Sequence, residues 1–196
     1  MDAPLRKLVL ASTSRYRSAL LERLGLPFEA ARPPYQEQHD LPLPPEELVL
    51  HLARGKARSL APLFPDALLL AADQVAELDG RVLTKPGDEA RAVEQLRLLA
   101  GRTHRLLTGV CLLEARSGRL EQALDVQRMS MRPLAEERLR AYVALDRPFD
   151  CAGSYRVEGP GIALFERMQG EDFTGIIGLP LTRVVDLLAR FDIQVP

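Results

Sequence analysis

The sequence predicts a mixed α/β protein, and three stretches carry that expectation. Leu8–Leu10 is an apolar run of strand length, followed by a small hydroxyl turn (Ser12, Thr13, Ser14) and then a helical pattern. Ala67–Ala72 is a continuous apolar run, as expected for a strand covered on both faces. His104–Glu114 and Leu120–Met131 are two β-type segments joined by a Ser117-Gly118 turn. This antiparallel pair either extends the sheet or builds a second lobe. Strands of both types separated by helices read as an α/β arrangement, with helices packed against sheet.

Composition sets the outer limits. The chain has 196 residues, 46% of them hydrophobic and 27% charged, with a net charge of −1. That length supports one domain or two small lobes, with a sizeable core. The charge balance argues against stable nucleic-acid binding through bulk positive potential, while a compact anion held by a few local cations remains possible. No apolar run approaches the roughly 20 residues of a membrane helix, and the amino terminus lacks a signal-type apolar region. Cys111 and Cys151 have no metal or redox spacing and read as buried thiols in a reducing compartment, so the expected location is cytoplasmic.

Taken in order, the first helix carries Tyr16, Leu20, Leu21 and Leu24 on one stripe and is stopped at Gly25. Pro27–Pro45 is proline-rich and reads as an extended strand followed by a loop, with a polar patch from Tyr35 to Asp40. Pro44 and Pro45 open a helix running to about Leu60. Its row Leu48, Leu52, Lys56, Leu60 puts a lysine in an apolar stripe. Lys56 either snorkels from the stripe's edge or points into a cavity. The Ala67–Ala72 strand is expected to end at Asp73-Gln74, and Val75–Leu83 reads as a hairpin around Asp79-Gly80. Asp88–Ala100 reads as a helix with Ala90, Val93, Leu96 and Leu99 inward. A second charged helix spans Ala135–Leu145, a strand follows at Ile162–Arg167, and Gly170–Pro180 reads as loop. The last helix, Leu181–Phe191, buries Val184, Val185, Leu188 and Phe191.

The polar residues at element ends define the candidate chemistry. A strand–turn–helix unit points backbone N–H groups and a positive helix end at one place, and Ser12, Ser14, Arg15 and Arg17 surround it. That place suits phosphate; equally, Ser14 is a common helix N-cap. Lys56 and Lys85 add cations suited to a polyphosphate. The carboxylates Glu37 and Asp73 suit a divalent cation such as Mg²⁺ or Mn²⁺, which shares hard oxygen ligands with substrate phosphates. One carboxylate can instead take a proton from an attacking water. Asp73 is also expected at the carboxyl end of a strand, where α/β sheets gather ligands, although a capping role fits the same position.

Several ordered motifs resemble the Maf (septum-formation-inhibitor-like) family over nearly the whole chain. They are Leu-Ala-Ser-Thr-Ser-x-x-Arg at 10–17, Ala-Arg-x-Lys-Ala at 53–57, Ala-Asp-Gln-Val at 72–75 and Thr-Lys-Pro at 84–86. Gly-Arg-Thr-His at 101–104, Thr-Gly-Val at 108–110, Ala-Gly-Ser-Tyr at 152–155 and Gly-Leu-Pro-Leu at 178–181 continue the series. The resemblance implies a single Maf/ITPase-like domain: an elongated, twisted mixed sheet flanked by helices, its two lobes parted by a deep central cleft. It implies a homodimer and a nucleotide pyrophosphatase, a hydrolase releasing pyrophosphate from a nucleoside triphosphate with Mg²⁺, Mn²⁺ or Co²⁺. By that resemblance Asp73 takes the proton-acceptor position, Arg17, Lys56 and Lys85 the phosphate-side cations, Ser12 and Ser14 the hydroxyl turn, and Glu37 the cleft glutamate, a partner of metal or water. The same resemblance admits a regulator of septum formation that senses nucleotides without turnover.

Three positions separate the family's subgroups by base. Pyrimidine-specific members, which hydrolyse dTTP and UTP, look like Arg, Thr and Gln there. This chain has Tyr16, Gln74 and Glu158, and with Cys-Ala-Gly-Ser-Tyr-Arg-Val-Glu-Gly at 151–159 it is more similar to the 7-methyl-GTP pyrophosphatases. The chemistry agrees. A 7-methylated guanine is cationic, so an aromatic face attracts it by about 0.5–2 kcal/mol. Its N1–H and N2–H donors suit a carboxylate such as Glu158. The chain departs from the family pattern at Arg15, where Pro is usual, at Tyr16, where the subgroup has Trp, and at Gln36, where an acid is common.

Overall fold

The computed structural model describes residues 6–195. Seven strands form one sheet: β1 (Leu8–Ala11), β2 (Phe28–Ala31), β3 (Leu68–Leu78), β4 (Arg81–Leu83), β5 (Thr103–Glu114), β6 (Leu120–Met131) and β7 (Phe165–Gln169). Their order is β2-β1-β3-β5-β6-β7, with β4 paired to β3. β1 lies parallel to β2 and β3, and every other pairing is antiparallel. The long 103–131 hairpin therefore extends the sheet. The α-helices are α1 (Arg15–Glu22), α2 (Pro45–Leu60), α3 (Glu89–Leu99), α4 (Glu136–Asp146), α5 (Thr174–Ile177) and α6 (Leu181–Ala189).

The strand expected to end at Asp73 does not end there. β3 runs unbroken from Leu68 to Leu78, with Asp73 opposite Gly109 and Gln74 opposite Thr108 on β5. What ends is its other neighbour. β1 pairs with β3 only through Leu70 and then turns into α1, so β3 continues past it with that edge unpaired until β4 joins at Ala76. Asp73 thus lies beyond the carboxyl end of the parallel part of the sheet rather than of its own strand.

Strand alternation then divides β3 between two layers. Leu69 and Ala71 pack with Val9, Ala53, Ala57 and Leu60 under α2. Leu68, Leu70 and Ala72 pack with Leu20 and Leu21 of α1 and with Val184, Leu187, Leu188 and Phe191 around α6. Each fully buried leucine here contributes roughly 1.5–3 kcal/mol. Gly109 explains how closely α2 approaches: a Cβ there would stand 2.6 Å from the Val49 carbonyl.

Several sequence expectations shift by a residue or an element. On α3, Ala92 is buried and Ala90 exposed, and on α6 Leu187 is buried where Val185 is only half-buried. Residues 160–164 form a 3₁₀ turn begun by Pro160, so the expected 162–167 strand starts at Phe165. The 170–180 loop contains α5, one helical turn. Cys111 is buried in β5, while Cys151 is half-buried and both thiols are free. No helix among the described residues is long and apolar enough to cross a membrane.

Candidate active site

A cleft of about 610 Å³ opens where β3 outruns β1. Ser12, Ser14, Tyr16, Arg17, Glu37, Lys56, Asp73, Gln74, Lys85 and Glu158 all line it, so every site residue singled out from the sequence is brought to one cavity. The hydroxyl turn is tied together locally. Ser12 Oγ accepts from the Ser14 amide at 3.1 Å, and Ser14 Oγ accepts from the Arg17 amide at 3.4 Å as the N-cap of α1. The capping and anion readings of Ser14 therefore coexist, because its hydroxyl proton remains available to donate.

Lys56 points into the cavity and does not snorkel: it is only 5% exposed. Its ammonium bridges two carboxylates, reaching Glu37 Oε1 at 2.7 Å and bonding Asp73 Oδ1. The lysine that interrupts the apolar α2 row is thus the cation of a buried ionic cluster. Burial works to raise the Glu37 carboxyl, but Lys56, with Lys85 and His39, outweighs it and leaves Glu37 below the usual carboxylate range. The loop bearing Glu37 is seated by Tyr35, whose ring lies on Gly55, one residue before Lys56. A Cβ on Gly55 would come within 2.3 Å of that ring.

Asp73 is 3% exposed, and its second oxygen, Oδ2, has no hydrogen-bond partner among the described residues. An orphaned buried carboxylate oxygen is costly unless something else satisfies it. Ligand atoms of Glu37, His39 and Asp73 lie within 4.8 Å of one another, and His39 Nε2 is 3.6 Å from Glu37 Oε2. Two carboxylates with free oxygens and an imidazole form a donor set that fits a divalent cation. His39 had no partner legible in the sequence; its signal was only its place two residues after Glu37.

The opposite face of β3 is arranged differently. Gln74 Nε2 donates to the carbonyls of Gly175 (2.7 Å) and Ile176 (3.4 Å) and to Thr108 Oγ1 (2.9 Å). Carbonyls cannot donate, so the amide is oriented with Oε1 left to offer a ligand. Arg17 Nε donates to the Gly178 carbonyl at 2.9 Å, leaving its terminal nitrogens for an anion. Burial pushes the Arg17 guanidinium below its ordinary range, against the pull of Asp73 and Glu37.

Tyr16 lines the cleft; the buried positions of α1 are Leu20 and Leu21. Its hydroxyl accepts from Arg156 Nη1 at 2.8 Å and Arg15 Nη2 at 2.9 Å. Arg156 is itself fixed by Asp146, through Nε to Oδ2 at 3.0 Å and Nη2 to the backbone carbonyl at 2.7 Å. The Arg15 guanidinium lies 4.9 Å from the centre of the Tyr16 ring, so this departure from the family pattern covers the aromatic face. Glu158 stands exposed at the cleft edge. Arg156 lies within the 151–159 motif but is not singled out there, because its partners stand 10 and 140 residues away and leave no local pattern.

Residues 7–191 match the family described as Maf-like protein, and the chain belongs to that family. It is 46% identical to a 7-methyl-GTP pyrophosphatase of Syntrophotalea carbinolica, over 97% of this chain and 98% of that one. It is also 46% identical to a 7-methyl-GTP pyrophosphatase of Pseudomonas aeruginosa, over 96% of this chain and 98% of the relative. Among solved structures, the Ham1 protein of Staphylococcus aureus superposes with a TM-score of 0.49 at 12% identity, covering 65% of this chain and 73% of that chain.

Proposed function

We propose that this protein hydrolyses 7-methyl-GTP to 7-methyl-GMP and pyrophosphate, clearing a modified nucleotide from the pool. The observation that carries the reading is Asp73: buried, held through one oxygen by Lys56, and presenting the other, unpaired, in a cleft lined by Arg17, Lys85 and the Ser12–Ser14 turn. In this reading Arg17, Lys56, Lys85, Ser12 and Ser14 hold the triphosphate. Asp73 accepts a proton from the water whose oxygen bonds to the α-phosphorus, as the bond from that phosphorus to the bridging oxygen breaks and pyrophosphate leaves. Glu37 and Asp73, with His39 beside them, would hold a divalent cation, Mg²⁺, Mn²⁺ or Co²⁺, which would supply charge neutralisation for the phosphates.

The base is assigned to the other face of β3. Tyr16 offers a ring to the cationic base, Glu158 a carboxylate and Gln74 a carbonyl oxygen to its N–H donors. The names of the relatives support this choice. We place the enzyme in the cytoplasm, supported by its free thiols. We infer that it works as a homodimer, supported by the apolar set Ile162, Met168 and Phe173, the last 61% exposed.

The test is a panel of canonical and methylated nucleoside triphosphates with each of the three metals, scored for pyrophosphate release. Release chiefly from 7-methyl-GTP is expected. Release chiefly from dTTP and UTP would overturn the base assignment, and no release from any would favour a binding protein without turnover.

A further inference from the structure

Three backbone carbonyls of one short segment aim side chains into the cleft. Gly175 and Ile176 take the Gln74 amide, and Gly178 takes Arg17 Nε. These carbonyls belong to α5 and its C-cap, a single turn of four residues. An isolated turn that short does not hold itself, because nucleation costs more than its hydrogen bonds return.

Asp172 holds it. The carboxylate is 6% exposed and lies outside the residues lining the cleft. Its Oδ1 accepts from the Thr174 amide at 2.8 Å and the Thr174 hydroxyl at 2.5 Å. Its Oδ2 accepts from the Thr182 amide at 2.8 Å and the Thr182 hydroxyl at 3.0 Å. One side chain thus clamps the start of α5 to the start of α6. Its own carbonyl accepts from Gln127 Nε2 at 2.9 Å, which ties the clamp to β6. Thr174 Oγ1 closes the loop by accepting from the Leu181 amide at 2.8 Å. There is little slack: a Cβ on Gly175 would fall 2.1 Å from Asp125 Oδ2.

We propose that Asp172 is a positioning residue that sets Arg17 and Gln74 together, so that one carboxylate outside the cleft aims both the phosphate-facing guanidinium and the base-facing amide. The proposal rests on the reading of those two residues as nucleotide contacts. If α5 shifts, Gln74 loses the two carbonyls that only accept and keeps Thr108 Oγ1, a hydroxyl that can donate as well as accept, so the amide can turn and present donors where the base requires an acceptor. Arg17 loses the carbonyl that occupies its Nε in the same movement. Occupancy of the two ends is therefore coupled, and the coupling is reciprocal.

The test uses the full chain with metal and two half-ligands, inorganic triphosphate and 7-methylguanosine, each titrated by calorimetry. Asp172→Asn keeps the shape but replaces one acceptor oxygen with an amide that cannot accept. Both dissociation constants are expected to rise about fivefold to tenfold. The gain in nucleoside affinity that triphosphate confers on the parent protein is expected to vanish. Thr182→Ala, which removes one of the four bonds, is expected to shift both constants about twofold to fourfold, and it decides the matter if Asp172→Asn does not fold. A purely structural Asp172 would lower the melting temperature and leave both constants of the folded protein unchanged; that result, or a change in only one constant, overturns the proposal. If the parent binds triphosphate but not 7-methylguanosine, the base assignment fails instead, and the same titrations with thymidine test the clamp.

Discussion

Asp73 and Gln74 are neighbours on one strand and face opposite layers of the molecule. The Asp73 face is ionic and self-contained: the Lys56 ammonium bonds both Glu37 and Asp73, in the layer under α2. The Gln74 face is built from a distance, with an amide oriented by carbonyls about a hundred residues along the chain and a tyrosine held by Arg156, 140 residues away. In the proposed reading the contrast separates chemistry from selection: the first face binds phosphate and takes the proton, and the second recognises the base by where its groups point.

Changing the two neighbours separately tests that division most strongly. Asp73→Asn is expected to lower turnover about a thousandfold while leaving the fold intact, since it removes the proton acceptor. Gln74→Ala is expected to cost less than about tenfold in turnover and to alter the preference among bases. Steady-state kinetics on both variants checks this, and a retained rate in Asp73→Asn would remove Asp73 from its assigned role.

The next effect concerns the core behind the base-side face. His104 is 1% exposed, shares a hydrogen bond of 2.9 Å with Tyr155, and packs edge-on against its ring. Burial lowers its pKa from 6.5 to about 4, against a small opposing pull from Glu77. The folded state therefore binds fewer protons than the unfolded state across that window. The stability is fully present above pH 6.5 and is lost as pH falls towards 4, on the order of 3 kcal/mol for this group. Urea unfolding at pH 7 and pH 4.5 measures it, and His104→Gln, which keeps a partner for Tyr155, is expected to flatten that part of the dependence.

Two further changes sharpen the selective end. Tyr16→Arg with Glu158→Gln is expected to move the kcat/KM ratio of 7-methyl-GTP to dTTP about thirtyfold towards the pyrimidine, with a cation put where a cationic base stacks. An equal loss on both substrates would mean that these residues hold the fold rather than the base. The smallest effect is at Arg15, whose guanidinium covers the Tyr16 ring. Arg15→Ala uncovers that face and is expected to lower KM for 7-methyl-GTP about twofold to threefold.

The two faces also differ in how much of them could be read from the sequence. Much of the ionic face was legible because its members break a local rule: Lys56 interrupts an apolar row, Asp73 interrupts an apolar strand, and the Ser12–Ser14 turn stands between strand and helix, while Glu37 stood only as one acid in the polar patch from Tyr35 to Asp40. The error about where β3 ends has the same root. A polar pair in an apolar run reads as a terminus, whereas here the partner strand β5 continues beside it and keeps it paired. The selective face was legible only as residue types, through the family resemblance. Its working parts are backbone carbonyls and long-range hydrogen bonds, which have no periodicity and no local signature. Asp172 looked like an ordinary loop residue for that reason, although it accepts four hydrogen bonds.

The most direct measurement of the division between the two faces is kcat/KM for 7-methyl-GTP against unmethylated GTP. The substrates share every phosphate and differ by one methyl group and its positive charge, so the Asp73 face cannot distinguish them. A preference of about tenfold or more for the methylated substrate is expected from Tyr16 and Glu158. Equal values, or a preference for GTP, would contradict a base-side face that recognises a cationic base.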